Sequence, residues 1–305
     1  MSDGAPPTPG SAGTRSGFIA LAGRPNVGKS TLVNAIVGRK VAIVSDKPQT
    51  TRRAIRGVAT GDDWQLVLVD LPGVQRPRDA LTERMQRRVE RELDDSDGAL
   101  MVLNGEQGVG PGDRWIADAL RSAKVPVVIA VNKVDRLDRP STVLALQAAA
   151  DLDVADEIFP VSARTGAGIR PLVDHLVALL PEGPFFYEPG EGTDQPREVL
   201  LAELIREQVL RRTFQEVPHA VEVVIEDLEW MRDDLVLIRA LAWVETESQK
   251  GILIGAGGRM IKAIGSAARR ELERELGARV HLDLSVRVRK SWRADEALLD
   301  RLGIE

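Results

Sequence analysis

The chain reads as an α/β domain, a mostly parallel sheet with helices on both faces, followed by a smaller α+β domain. Three observations predict this. Short apolar runs alternate with helical patterns through residues 17–180, the way strand–helix–strand units appear in sequence. Residues 181–197 (PEGPFFYEPGEGTDQPR) break that rhythm with three Gly and four Pro, as a linker does. Beyond them the order becomes helix, strand, strand, helix, strand.

Residues 1–16 hold Pro, Gly, Ser and Thr without an apolar core, so a disordered tail is expected and a secretory leader is not. Strands are predicted at 17–22, 54–60, 65–70, 99–103, 125–131 and 157–161. Helices should start at Gly28, near Asp79, at Gly112, near Pro140 and at Ile169. Gly61-Asp62-Asp63 between two strand patterns predicts a hairpin, hence one antiparallel edge strand. In the linker, Phe185, Phe186 and Tyr187 are candidates to pin it to a domain surface. The second domain should span 198–293, with a helix at 198–212 and strands at 220–225 and 235–245. A glycine loop, a helix over 260–276 and a strand over 279–289 complete it, leaving 294–305 as a tail. The last strand alternates cleanly, with Val280, Leu282, Leu284, Val286 and Val288 on one face. His219, after Pro218, reads as a strand entrance. Trp292 reads as packing on its own domain.

Composition is that of a globular protein, 43% apolar and 29% charged, with a net charge of −5. The absence of cysteine excludes disulfide staples and thiolate metal sites and fits a reducing cytosol. No apolar run approaches the ~20 residues of a membrane span. The three histidines are scattered and form no metal or catalytic set. Charge is informative locally: residues 250–293 carry eleven cations against four acids, a net +7 on one segment of an acidic chain.

Residues 23–30 read GRPNVGKS and match the phosphate-binding loop pattern between a strand and a helix. Gly23 and Gly28 let the backbone turn its N–H groups toward phosphate, with Asn26 and Val27 between them. Lys29 can reach the terminal phosphates, and the Ser30 hydroxyl, followed by Thr31, can bind Mg²⁺. Asp70-Leu71-Pro72-Gly73 lies 41 residues after Lys29 at a strand end. The Asp70 carboxylate suits Mg²⁺ and the Gly73 N–H suits a γ-phosphate. Asn132-Lys133-Val134-Asp135 follows 62 residues later, and Ser162-Ala163-Arg164 30 residues after that. The Asp135 carboxylate can accept from guanine N1–H and the 2-amino group, which adenine does not offer, so GTP/GDP rather than ATP is expected. A backbone N–H of the Ser162–Arg164 stretch could meet guanine O6. Within Asp46-Lys47-Pro48-Gln49-Thr50-Thr51-Arg52, Thr51 is the favoured γ-phosphate-dependent Mg²⁺ ligand, with Thr50 next. Many small GTPases place a water-orienting glutamine just after the DxxG glycine. Here that position is Val74, so a side-chain amide cannot serve.

Gly255-Ala256-Gly257-Gly258 fits the GxxG of a KH domain, a loop that clamps nucleic-acid backbone. Arg259 and Lys262 begin the next helix, close enough to neutralise phosphates.

Taken together, GRPNVGKS, QTTR, DLPG, NKVD and SAR followed by GILIGAGGRMIKAIG resemble the bacterial Era GTPase family, from about Gly17 to Trp292. The resemblance implies a P-loop GTPase domain followed by a type II KH domain. It implies slow, Mg²⁺-dependent GTP hydrolysis, with Lys29, Asn26, Thr51 and Gly73 in the catalytic set. Asn26 stands where related GTPases coordinate K⁺. It further implies a monomer that binds the 3′ end of 16S rRNA on an assembling 30S subunit, in the cytoplasm, with loose peripheral membrane association. Two other readings stay open: an RNA-binding protein with structural GTP, and a membrane-linked signalling GTPase whose second domain binds protein or lipid.

Overall fold

The computed structural model describes residues 13–47, 49–73, 80–123 and 125–304. Its backbone contacts divide the chain into two units. The first contains β1 (Arg15–Ala22), α1 (Lys29–Val37), β2 (Ile55–Thr60), β3 (Trp64–Asp70), α2 (Ala80–Asp94, in this unit from Thr82), β4 (Gly98–Asn104), α3 (Pro111–Ser122), β5 (Val127–Asn132), α4 (Arg139–Ala150), β6 (Glu157–Pro160) and α5 (Ile169–Leu179). The strands form one sheet in the order β2-β3-β1-β4-β5-β6. Only the β2–β3 pair is antiparallel, across the expected Gly61 hairpin. Central strands read as unbroken apolar runs because both faces are covered: every residue of β4 is buried. One face packs Val89, Leu93, Ile116, Leu120 and Ala149 from α2, α3 and α4. The other packs Leu32, Val33, Leu172 and Leu176 from α1 and α5. Parallel pairing brings the C-terminal ends of β1, β3 and β5 to one edge, where ligands bind in open α/β sheets.

The Pro/Gly-rich stretch is held along this unit as far as Asp194. The Gln65 side-chain oxygen accepts from the Phe186 and Tyr187 N–H groups (2.8 and 3.0 Å), and its nitrogen donates to the Tyr187 carbonyl (2.9 Å). The Phe186 ring lies 4.8 Å from that of Phe18.

The second unit contains α6 (Arg197–Leu210), α7 (Val217–Ala220), β7 (Glu222–Arg232), β8 (Leu235–Val244), α8 (Glu247–Ile254), α9 (Arg259–Leu276), β9 (Arg279–Val288) and α10 (Glu296–Arg301). Its sheet runs β7-β8-β9, antiparallel then parallel. Three helices depart from the sequence expectation. The lead-in to the glycine loop is helix α8, started by a capping box: Thr246 Oγ1 accepts from the Gln249 N–H, and Gln249 Oε1 accepts from the Thr246 N–H, each at 3.2 Å. His219 sits in the one-turn helix α7 rather than at a strand entrance, because Pro218 occupies the first turn, where its missing N–H costs nothing. Trp292 is fully buried, and its indole N–H donates to the Ala220 carbonyl at 2.8 Å. After it, where a tail was expected, Asp295 caps the short helix α10, which buries Leu298 and Leu299.

The second unit also includes Ile43–Thr50, the segment that leads into Thr51. Ile43 joins the core of α6, α9 and the three strands. The Val44 N–H donates to Glu207 Oε1 at 2.9 Å, and Lys47 lies 4.4 Å from the Phe214 ring centre.

Candidate functional site

The phosphate loop connects β1 to α1. Its conformation is dictated by what crowds it. A Cβ on Gly23 would lie 2.6 Å from the Val102 carbonyl oxygen, and one on Gly28 would lie 2.4 Å from Asn132 Nδ2. Asn26 takes a left-handed backbone (φ 65°), and its carbonyl accepts from Lys133 Nζ at 2.9 Å. Val27 is buried, and its carbonyl accepts from Asn132 Nδ2 at 3.0 Å. Asn132 Oδ1 accepts in turn from the N–H groups of Lys133 (2.8 Å) and Ala163 (3.0 Å). One side chain therefore joins three of the sequence motifs. Arg24 adds a brace absent from the sequence reading: its Nε meets the fully buried Asp113 carboxylate at 2.8 Å. Asp113 was legible as the last residue of a Gly-Pro-x-Asp helix start, the third residue of the helix itself.

Lys29 is buried, and its ammonium donates to the carbonyls of Gly23 (3.0 Å) and Arg24 (3.3 Å). Burial lowers its pKa, partly opposed by Asp70. Asp70, fully buried at the end of β3, is pushed the other way by burial and pulled back by Lys29, Ser30 and Thr51. Ser30 Oγ donates to Asp70 Oδ2 at 2.6 Å, Thr51 Oγ1 to the same oxygen at 3.3 Å, and the two hydroxyls are 3.1 Å apart. The three residues assigned to Mg²⁺ from sequence thus converge. Asp70 Oδ1 is buried with no hydrogen-bond partner among the described residues. An oxygen-only set with one carboxylate and an unsatisfied lone pair suits a hard divalent cation shared with phosphate. Gly73 abuts the loop: a Cβ there would lie 2.9 Å from Pro25 Cγ. Val74 lies outside the described residues.

Asp135 and Arg164 line a 180 Å³ cavity with Gly28, Thr31, Asn132 and Lys133. Asp135 Oδ1 accepts from Ser162 Oγ at 2.5 Å, and Oδ2 from Arg164 Nε (3.0 Å) and Nη2 (2.5 Å). Ser162 and then Arg164 hold this carboxyl below its ordinary pKa.

In the second unit, Gly255, Gly257 and Gly258 all take positive φ (69°, 61° and 75°), with Ala256 between them. Arg259 and Lys262 are exposed at the start of α9. Beside them, a 400 Å³ groove runs between α9 and β9, lined by Lys262, Gly265, Ser266, Arg269, His281 and Asp283 among others. His281 and Asp283 alternate with the apolar residues of β9, but a groove against α9 has no local signature in the sequence.

This arrangement defines a P-loop nucleotide-binding domain joined to a KH domain. The profile of the family described as 50S ribosome-binding GTPase matches residues 18–133, and that of the KH domain matches residues 216–293. The chain is 48% identical over 294 residues to GTPase Era of Mycobacterium tuberculosis (strain H37Rv), covering 94% of this chain and 98% of the relative. It is 47% identical to GTPase Era of Mycobacterium avium (strain 104), covering 95% and 98%. Crystal structures of Era with MgGDPNP and nucleotides 1506–1542 of 16S ribosomal RNA, and of a point variant of Aquifex aeolicus Era with GDP.AlF4-, each superpose with a TM-score of 0.91 at 32% identity. Each comparison covers 95% of this chain and 99% of the relative. The chain belongs to the Era GTPase family. Among the described residues, no helix is long and apolar enough to cross a membrane.

Proposed function

We propose that GTP binding and hydrolysis by the first unit control the hold of the KH unit on the 3′ end of 16S rRNA, on a 30S subunit under assembly. One observation carries this reading: adjacent residues of one loop answer to different partners. The Thr51 hydroxyl joins Ser30 and Asp70, whereas the Thr50 carbonyl accepts from Arg206 on α6, the first helix of the second unit. A phosphate-dependent shift of Thr51 must pull on Thr50 through one peptide bond.

In this reading Ser30, Thr51 and Asp70 hold Mg²⁺, which offsets negative charge on the phosphates. Lys29 and the Gly73 N–H meet the γ-phosphate, and Asp135 reads guanine. Gly255–Gly258 take the RNA backbone, with Arg259 and Lys262 neutralising it. The relative that holds 16S rRNA nucleotides supports the choice of RNA. We also read the protein as a cytoplasmic monomer whose basic segment permits peripheral contact with anionic lipid. The decisive measurement is affinity of the whole chain for a 16S 3′-end oligonucleotide with a non-hydrolysable GTP analogue and with GDP. Tenfold or greater preference for one nucleotide state is expected, and equal affinities would refute the switch. Asn26 is assigned to K⁺, so hydrolysis should run faster in K⁺ than in Na⁺. Equal rates would remove that role.

A further inference from the structure

We propose that Arg164 is a guanine mimic carried by the chain: its guanidinium holds the Asp135 carboxylate until GTP or GDP displaces it. The inference rests on the reading of Asp135 as the guanine-selecting group. Guanine presents two adjacent donors, N1–H and the 2-amino group, on one N–C–N fragment. The Nε–Cζ–Nη2 edge of arginine is the same fragment with the same pair of parallel donors. Here both of those nitrogens donate to Asp135 Oδ2, at 3.0 and 2.5 Å, while Ser162 Oγ donates to Oδ1. Arg164 and Asp135 line the same 180 Å³ cavity.

The two partners differ in their freedom to leave. The Asp135 side chain is 10% exposed and the Arg164 side chain 68%. The backbone beneath Arg164 is fixed, because the Ser162 N–H donates to the Ala167 carbonyl and the Gly166 N–H to the Ser162 carbonyl. The guanidinium can therefore swing into solvent without disturbing the turn. Guanine binding becomes an exchange of one donor pair for another. A purine without that pair, such as adenine, would break the arginine–carboxylate bonds and return nothing. Arg164 thus tunes nucleotide affinity by competing with the base for Asp135 rather than by touching the base, while the choice between guanine and adenine stays with Asp135.

The sign of this effect separates it from a supporting role. Loss of a solvent-exposed ion pair should change binding by roughly two- to fivefold. Arg164→Met in the whole chain should therefore bind fluorescent GDP tighter by that factor, with faster association in stopped flow. Arg164→Lys should fall between, since a point charge copies only part of the planar fork. The melting temperature should drop for Arg164→Met without nucleotide and match wild type with saturating GDP. Unchanged or weaker GDP binding by Arg164→Met overturns the mimic. Asp135→Ala is the parallel arm. Should it bind GDP like wild type, the guanine-reading role of Asp135 fails. If it loses GDP while Arg164→Met is merely weakened, that role stands and the mimic alone is refuted.

Discussion

Replacing Asn132 by alanine tests whether one amide holds the nucleotide site together. Asn132 is 2% exposed and makes three hydrogen bonds, to the Val27 carbonyl and the Lys133 and Ala163 N–H groups, at 2.8–3.0 Å. A net contribution of about 1 kcal/mol per bond gives roughly 3 kcal/mol. That is a lower figure, since Val27 is fully buried and Ala163 nearly so, and their polar atoms lose these partners. The Gly28 backbone rests against the same amide, with only 2.4 Å between a hypothetical Cβ and Nδ2, so truncation also opens a gap under the phosphate loop. If the loss falls on the bound state, 3 kcal/mol is on the order of a hundredfold in Kd. Titration of fluorescent GDP in Mg²⁺ buffer measures it, with melting of the free protein as the companion reading. A Kd within about threefold of wild type, with unchanged melting, would refute the claim that Asn132 couples the three motifs.

Two further outcomes follow from the charged groups. The double substitution Arg206→Met with Glu203→Leu should cost less stability than Arg206→Met alone, because it removes the nearest buried acid along with the arginine and leaves Glu222 facing the lost charge. Arg206→Met alone should cost about 3–5 kcal/mol by stranding Glu203. The double variant should lose the dependence of RNA affinity on nucleotide state, since the Arg206 bond to the Thr50 carbonyl is then gone; intact dependence in oligonucleotide titrations would count against that route. The pH profile follows from Asp135, whose pKa is depressed by Ser162 and then by Arg164. A depressed folded-state value means these bonds stabilise the protein above the ordinary value of 3.8 and are lost as pH falls through the folded value. GDP affinity should stay insensitive to Asp135 from pH 8 to about pH 5. A carboxylate-dependent decline centred near neutrality, absent in Asp135→Asn, would contradict this assignment.

Much of the first unit was legible because its signals are local. Strand β4 announces double burial through an unbroken apolar run, and each nucleotide motif sits where a strand must end. Strand β9 was legible through strict alternation. Helix α8 was missed because Gly-Ile-Leu-Ile-Gly looks like an extended lead-in, although Thr246 and Gln249 stand at capping-box spacing. What could not be read is long-range pairing. Glu203, Arg206 and Glu207 look like the solvated face of α6, yet all three are buried, with Glu203 closing on Arg206 and Glu207 taking the Val44 N–H. No period in the sequence distinguishes a charge facing water from one facing a distant segment. The Arg164–Asp135 contact, 29 residues apart, has the same character.

The two glycine loops differ in a way that yields a last prediction. In the phosphate loop, glycine is required by the protein's own atoms, since side chains at Gly23 or Gly28 would collide with Val102 and Asn132. At Gly257 and Gly258 a Cβ would meet nothing within 4 Å. Internal packing therefore does not explain those two. Their left-handed backbone does in part, but Asn and Asp tolerate that region at modest cost. On the reading of this loop as a nucleic-acid clamp, the further reason is an external backbone that approaches the bare glycines. Gly258→Asn and Gly258→Asp make a nearly isosteric pair that should fold alike and melt within a few degrees of each other. If the approaching surface is a phosphodiester, the carboxylate should weaken RNA binding at least tenfold more than the amide, and added salt should narrow that difference by screening the repulsion. Equal losses from the pair would mean that the loop meets something uncharged, and the phosphate clamp would have to be abandoned.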